Sequence, residues 1–410
     1  MEDLESENIR VIIRSYESIL KERFNDEDFP TITSHEQLKV ERTVDHCYSL
    51  FSERLKVDLE APTLNRYMHE MYLKVSLSSL PTSLQSYDAS RPWLCYWIVH
   101  SLQLLNQPLS PGDSSIVAQF LARCQSPEGG FGGGPGQIPH LASTYAAVNA
   151  LCSLSTEEAF RVINRETLER FLWSVRRPDG SFAVHVGGEV DLRGVYCAAA
   201  VAKLTGTFSE ALFDGSAYWI VRCQTYEGGF SSTPGSEAHG GYVFCGIAAL
   251  LLLEKQHMCD LKALLRWLVN RQMRFEGGFQ GRTNKLVDSC YSFWQGCSLA
   301  LVHQILASED PLTVNTDRWL FHQEALQEYI LVCCQAPKGG LLDKPDKRPD
   351  AYHTCYSLSG LSLAQHPKTG SSIVVGERNE LVLIHPVFNI TQNAALLASR
   401  YFYNLSSAQS

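Results

Sequence analysis

The 410-residue chain is 45% hydrophobic and 19% charged, enough apolar material for a sizeable globular core. A net charge of −9 argues against nucleic acid as the main partner. The longest apolar run, Tyr242 to Leu253, falls short of the roughly 20 residues a membrane span needs, and the acidic start MEDLESENIR has no apolar signal core.

Residues 1–85 read as an acidic, helical lead-in that packs on the body of the chain. From Arg91 a two-part repeat begins, with a period of roughly 50 residues, long for a helical repeat unit. Its first part is a glycine turn closed by an apolar residue: EGGF at Phe131, DGSF at Phe182, EGGF at Phe230 and Phe279, KGGL at Leu341. Its second part is a helix led by a tyrosine, at Tyr96, Tyr145, Tyr196, Tyr242, Tyr291 and Tyr356. An insertion around Ser308 to Asp317 stretches the last interval. Cys124, Cys223 and Cys334 recur in one context, each followed by Gln. With thirteen cysteines in all, an odd number, this predicts reduced core thiols and a cytoplasmic protein.

Between the turns lie amphipathic helices. Leu261, Leu264, Leu265 and Leu268 keep helical spacing behind Asp260 as cap, and Leu168, Leu172 and Val175 do so behind Asn164. Ser155 with Glu158 reads as a capping box. The tyrosine-led helices, such as YAAVNALCSL and YVFCGIAALLLL, are apolar nearly all round and therefore buried. Alternation of the two kinds over six units predicts an all-α fold, an α/α barrel of six hairpins with an inner ring inside an outer one. The barrel is expected over 86–365, with a C-terminal loop and closing helix over 366–410. The stretch Ile373 to Leu383 is the best β-like run and is expected to be a loop.

Three positions before each tyrosine stand Trp93, Ala142, Arg193, His239, Asp288 and His353. If the units are equivalent, these six ring one mouth of the barrel. A structural face would repeat one residue type; this one varies while its neighbours repeat. Asp288 and Cys290, taken alone, read more readily as a helix cap and a small core residue than as metal ligands. Slot equivalence makes His353 the neighbour of Asp288, so carboxylate, thiolate and imidazole converge. Three mixed ligands with an open fourth position are the catalytic form of a zinc site. Arg282, Lys285, His239 and Tyr291 group cations and donors beside helix starts, which suits a diphosphate. Trp93, Trp97, Tyr145, Tyr196, Tyr242 and Trp294 would line the interior, where a long isoprenoid chain fits.

The segments RPWLCYW, EGGFGGGPGQIPHLASTYAAVNALC, DGSFAVHVGGEVDLRGVYCAAA, PGSEAHGGYVFCG, GGFQGRTNKLVDSCYSFWQ and GGLLDKPDKRPDAYHTCYSLSGLS carry a specific resemblance. From about Arg91 to Gln365, and weakly on to HPVFNI, the chain resembles the β subunits of protein farnesyltransferases. The resemblance implies a zinc-dependent transferase that moves farnesyl from farnesyl diphosphate to the cysteine thiol of C-terminal CaaX motifs through a zinc-bound thiolate. It implies Asp288, Cys290 and His353 as zinc ligands and His239, Arg282, Lys285 and Tyr291 as the diphosphate set. Gly240, Gly241, Thr283, Asn284, Ser292 and Phe293 join the substrate-binding segments. Arg193, Tyr242, Cys245 and Trp294 are implied as isoprenoid wall, Trp93 as its floor, and Asp343 as a magnesium-linked acid. The implied partners are a helical-repeat α subunit, which donates a further lysine to the diphosphate, and CaaX peptides.

Three residues depart from the family pattern: Ser289 for Gly, Ala351 for Phe, and Ser143 for Pro in the peptide-binding loop after His140. A type I geranylgeranyltransferase β subunit is the nearest rival reading, disfavoured by the bulk of Trp93 and Tyr356. A terpene cyclase would need a DxDD-type acid, which is missing, and an inactive scaffold would not need Asp288, Cys290 and His353.

Overall fold

A computed structural model describes residues 14–25, 29–57, 60–78, 82–312 and 314–407; the acidic start at 1–10 lies outside them. In chain order the α-helices are α1 Tyr16–Leu20, α2 Ile32–Val57, α3 Arg66–Ser78, α4 Arg91–Leu104, α5 Pro111–Cys124, α6 Leu141–Leu154, α7 Glu157–Val162 and α8 Arg165–Val175. They continue with α9 Leu192–Thr205, α10 Ser216–Arg222, α11 Gly240–Leu252, α12 Leu261–Val269, α13 Tyr291–Glu309, α14 Gln323–Glu328, α15 Ala351–Gln365 and α16 Gln392–Ser407. Two short antiparallel strands, β1 Ile384–His385 and β2 Ile390–Thr391, lie between α15 and α16.

The apolar helices form a closed inner ring. Helices α4, α6, α9, α11, α13 and α15 pack in that order, and α15 returns to α4. Nearly every residue of α6 and α9 is buried, as helices without a polar face must be. Outside them lie α3, α5, α8, α10, α12 and α14, each against the inner helix next in the chain. The described chain thus has the expected α/α barrel, and α3 from the lead-in supplies the outer helix beside α4.

The recurring glutamine explains how the ring is stitched. Gln125 exchanges hydrogen bonds with Val162 and Asn164. Gln224 does so with Asp260 at both its N–H and C=O, and Gln272 with His322. Each side chain thereby ties one unit to the start of the next outer helix. The last, Gln335, closes back on Thr63 and Asn65 at the start of α3. In the one unit lacking Gln, Arg176 reaches Leu212 and Asp214 instead. The glycine turns press on the same joints: a Cβ at Gly129, where φ is +97°, would lie 1.8 Å from the Thr167 carbonyl oxygen.

Asp260 and Asn164 cap α12 and α8 as expected, accepting from Ala263 and Thr167. The Ser155–Glu158 capping box is corrected. Thr156 caps α7, while Ser155 sits at φ 55° as the C-cap of α6 and Glu158 accepts from the Ser115 hydroxyl. The inner helices other than α13 begin before their tyrosines rather than on them. Ile373 to Leu383 contains no strand; β1 starts immediately after it.

The turn between β1 and β2 enters the barrel. Tyr96, Tyr145 and Tyr196 donate their hydroxyls to the carbonyls of Asn389, Phe388 and Val387, at 2.6, 3.0 and 2.8 Å. Three of the repeated tyrosines therefore secure a plug. Helix α16 packs across α6 and α9 beside it. On the outer wall, Arg14 pairs with Glu328 at 2.9 Å and α2 packs against the π turn Tyr329–Cys333. All thirteen cysteines are free thiols.

Candidate active site

The six slot residues gather at one mouth. Trp93, Ala142, Arg193 and His239 line one cavity of about 720 Å³, a volume typical of a small-molecule site. The other two, Asp288 and His353, stand with Cys290: their ligand atoms all lie within 4.8 Å of one another. This geometry comes from the repeat. Asp288 and Cys290 precede α13, His353 lies in the first turn of α15, and the two helices are ring neighbours.

Each ligand atom is aimed by its local structure. Asp288 accepts from the Cys290 N–H at 2.9 Å, and its Oδ1 lies 3.3 Å from His353 Nε2. Cys290 is buried, and burial lifts its thiol well above the ordinary range, with Asp288 adding to the effect. Asp350, the N-cap of α15, does two jobs. Its Oδ1 accepts from the His353 N–H and its Oδ2 faces Nδ1, both at 2.7 Å. That contact fixes the proton on Nδ1 and leaves Nε2 to face Asp288 and Cys290. Burial works against charge on His353, but hydrogen bonds to Asp288 and Asp350 outweigh it and lift the imidazole to about 10. A carboxylate, a thiol and an oriented imidazole are the donor types found in catalytic zinc sites. Asp350→Ala is expected to weaken zinc affinity about 10–100-fold with the fold intact, which metal titration against a chelator would measure.

The cationic side lies on α9, α11 and the loop before α13. His239 caps α11: its Nδ1 accepts from the Gly241 N–H at 3.1 Å, so that nitrogen carries no proton. Burial and the neighbouring Arg282 depress the His239 pKa. The neutral ring then donates from Nε2 to the Tyr291 hydroxyl, 2.9 Å away, which leaves the phenolic proton free to point at an incoming anion. Arg282 lines the cavity in an ion pair with Glu237. Arg193 is held by Asp191 at 2.5 Å and lies over the Tyr242 ring.

Tyr242, Cys245, Trp294, Trp93 and Tyr356 all line the cavity, with Trp97, Tyr145 and Tyr196. Several expected residues sit elsewhere. Lys285, Thr283 and Asn284 are exposed on the loop before α13, with Thr283 accepting from Arg271 at 2.7 Å. Ser292 and Phe293 are fully buried between inner helices, Phe293 against Phe244 and Tyr356. Gly240 is packed, its N–H on the Gly281 carbonyl, whereas Gly241 reaches the cavity. Asp343 is bonded to Lys344 and lies near enough to Asp288 for burial and that charge to raise its pKa. Ser143, expected in a loop, belongs to the first turn of α6, where proline and serine are both tolerated. Ala351 opens α15 and is buried.

Sequence reasoning missed Glu237, Tyr352 and Asp350. Tyr352 lines the cavity, accepts from Trp294 Nε1 at 3.1 Å and touches the Cys290 thiol. Asp350 carried a visible signal, an Asp at a helix start three residues before His353.

Residues 64–390 match the prenyltransferase alpha-alpha toroid domain family. The chain is 38% identical to the protein farnesyltransferase subunit beta of Pisum sativum, covering 92% of this chain and 97% of that one. It is 39% identical to that of Schizosaccharomyces pombe, over 85% of this chain and 94% of the relative. The geranylgeranyl transferase type-1 subunit beta of Arabidopsis thaliana is 33% identical over 72% of this chain and 84% of its own. Among solved structures, Candida albicans protein geranylgeranyltransferase-I complexed with GGPP superposes with a TM-score of 0.71 at 26% identity, covering 83% of this chain and 99% of that one.

Proposed function

Since this chain belongs to the prenyltransferase α/α-toroid family, and within it to the protein farnesyltransferase β subunits, we propose that its mouth transfers farnesyl to a peptide cysteine. The observation that carries the reading is the junction of three chemistries: the Asp288–Cys290–His353 cluster, the Arg282–His239–Tyr291 group and the aromatic cavity.

Asp288, Cys290 and His353 would hold Zn²⁺. The metal would supply the Lewis acidity that keeps an acceptor thiol ionised at neutral pH. Tyr291, His239 and Arg282 would hold the diphosphate, with Lys285 reaching in from its exposed loop. Their donors stabilise the charge that grows as the C1–O bond breaks and the diphosphate departs with the electron pair. Sulfur then bonds to C1, and the thiol proton has already left for solvent. Arg193, Tyr242, Cys245 and Trp294 would flank the isoprenoid and exclude water. Asp343 is the residue we assign to Mg²⁺; Lys344 holds that carboxylate in reserve.

We assign the chain a helical-repeat α subunit as partner and the C-terminal CaaX cysteine as acceptor, with the cytoplasm as site of action. No helix among the described residues is long and apolar enough to cross a membrane. We take 1–85 as a lead-in whose α3 joins the outer ring, 86–365 as the rest of the barrel and 366–410 as the closing segment. The test is co-expression with an α subunit, then assay of farnesyl transfer to a cysteine peptide against the chain alone. The pair is expected to transfer and to hold zinc; the lone chain is expected to be poorly soluble and inactive. An active, stable monomer would refute the partner, and a zinc-loaded pair with no transfer would refute the activity.

A further inference from the structure

Ser289 stands between the two ligand residues that precede α13 and has no exposed surface. Its hydroxyl donates to the Leu342 carbonyl at 2.5 Å and accepts from the hydroxyl of Ser357, also fully buried, at 2.8 Å. Its N–H donates to the Asp343 carbonyl at 2.8 Å. One residue thus joins three segments: the turn carrying Asp288 and Cys290, the loop carrying Asp343, and α15, where Ser357 lies one turn beyond His353. The turn at 288–290 precedes the regular hydrogen-bond ladder of α13, so the helix alone does not fix it.

We propose that Ser289 and Ser357 form a buried clasp that positions the three metal ligands relative to one another. The proposal rests on the zinc reading above. The directed chain Ser357 O–H to Ser289 Oγ, then Ser289 O–H to Leu342 C=O, uses both hydroxyl protons. Deleting either hydroxyl strands a polar partner in a dry site, and the turn can recover only by moving. Such movement shifts Asp288 and Cys290 against His353, and metal affinity reads ligand spacing directly. Ser289 touches no substrate; its role is positioning.

The experiment uses the heterodimer with its α subunit and compares wild type, Ser289→Ala, Ser357→Ala and the double variant. Zinc dissociation constants come from chelator competition, and absorption bands of the cobalt-substituted protein report ligand geometry. Each single variant is expected to bind zinc about 10-fold more weakly, and the double variant no more weakly than Ser289→Ala, which already removes the link that Ser357→Ala breaks. The cobalt bands should shift, while farnesyl diphosphate binding should largely hold, since Arg193, His239, Tyr242 and Arg282 lie outside the 288–290 turn. Ser357→Ala, on the far side of the clasp, keeps the test decisive should Ser289→Ala fail to fold. Unchanged zinc constants and cobalt bands in the variants would overturn the clasp alone. A wild-type pair that takes up no zinc would overturn the metal reading and the clasp with it.

Discussion

Cys290→Ala or His353→Ala, each made in the heterodimer, is expected to strip the metal and abolish transfer while farnesyl diphosphate still binds. The three ligand atoms sit within 4.8 Å of one another, so loss of any one leaves a two-residue site that cannot compete with chelators. Removing Cys290 also removes the contact with Tyr352, whose hydroxyl still accepts from Trp294, so the cavity wall should survive. Without the metal an acceptor thiol at neutral pH is mostly protonated. A Lewis-acid contribution of several kcal/mol then disappears, a fall on the order of 10³ or more in rate. The measurements are metal content by atomic absorption, lipid binding by fluorescence and single-turnover transfer. Retention of one zinc per heterodimer in both variants would sink the ligand assignment. Loss of lipid binding along with the zinc would show that the two halves of the mouth are not separable.

The fold and the gathering of Asp288, Cys290 and His353 were legible for one reason: the tyrosines repeat. They set a register, and in that register Asp288 and His353 fall in one slot while ordinary neighbours recur around them. The closed ring is the consequence of helices with no polar face, since only an inner ring buries them on all sides. Residues adjacent in sequence to the site were harder to place. On a helix each step turns by about 100°, so Tyr291 and Trp294 share the cavity face while Ser292 and Phe293 point between neighbouring helices. Asp350 looked like a plain helix cap, and its second oxygen acts on His353 only once the helix has formed. Glu237 lies in a polar loop, and nothing in its surroundings there shows that Arg282, 45 residues on, returns to it. Ring closure by Gln335 onto Thr63 and Asn65 had no signal at the receiving end, because backbone groups do the accepting and donating.

Trp93→Thr, with or without Tyr356→Phe, is expected to turn a farnesyl-selective pair toward geranylgeranyl transfer. In ring order α4 lies opposite α11, so Trp93 stands across the cavity from His239 and the diphosphate group. The Trp93 ring packs against Tyr96, Trp97 and Tyr145, with centroids 6.0, 5.4 and 5.7 Å away. Tyr356 is buried and packs on Trp294 at 4.4 Å and Tyr352 at 4.8 Å. A diphosphate anchored at Arg282 and Tyr291 fixes C1 beside the metal cluster, so added chain length must be absorbed at the far wall. On this reading a fifteen-carbon chain would end before the Trp93 indole, and a twenty-carbon chain would meet it or else draw C1 back from sulfur. Displacement of about 1 Å at the reacting atoms can cost on the order of 10² in rate. Wild type is therefore expected to bind both lipids and to transfer mainly the shorter. The side chain of threonine frees the space of the indole, while Tyr356→Phe removes a hydroxyl from the same wall. The two diphosphates compete for one cysteine peptide, and the product ratio is read by mass for wild type and variants. A ratio unmoved by either substitution would mean that the length limit lies elsewhere, with the 387–389 carbonyl plug beneath Tyr145 and Tyr196 the next surface to test.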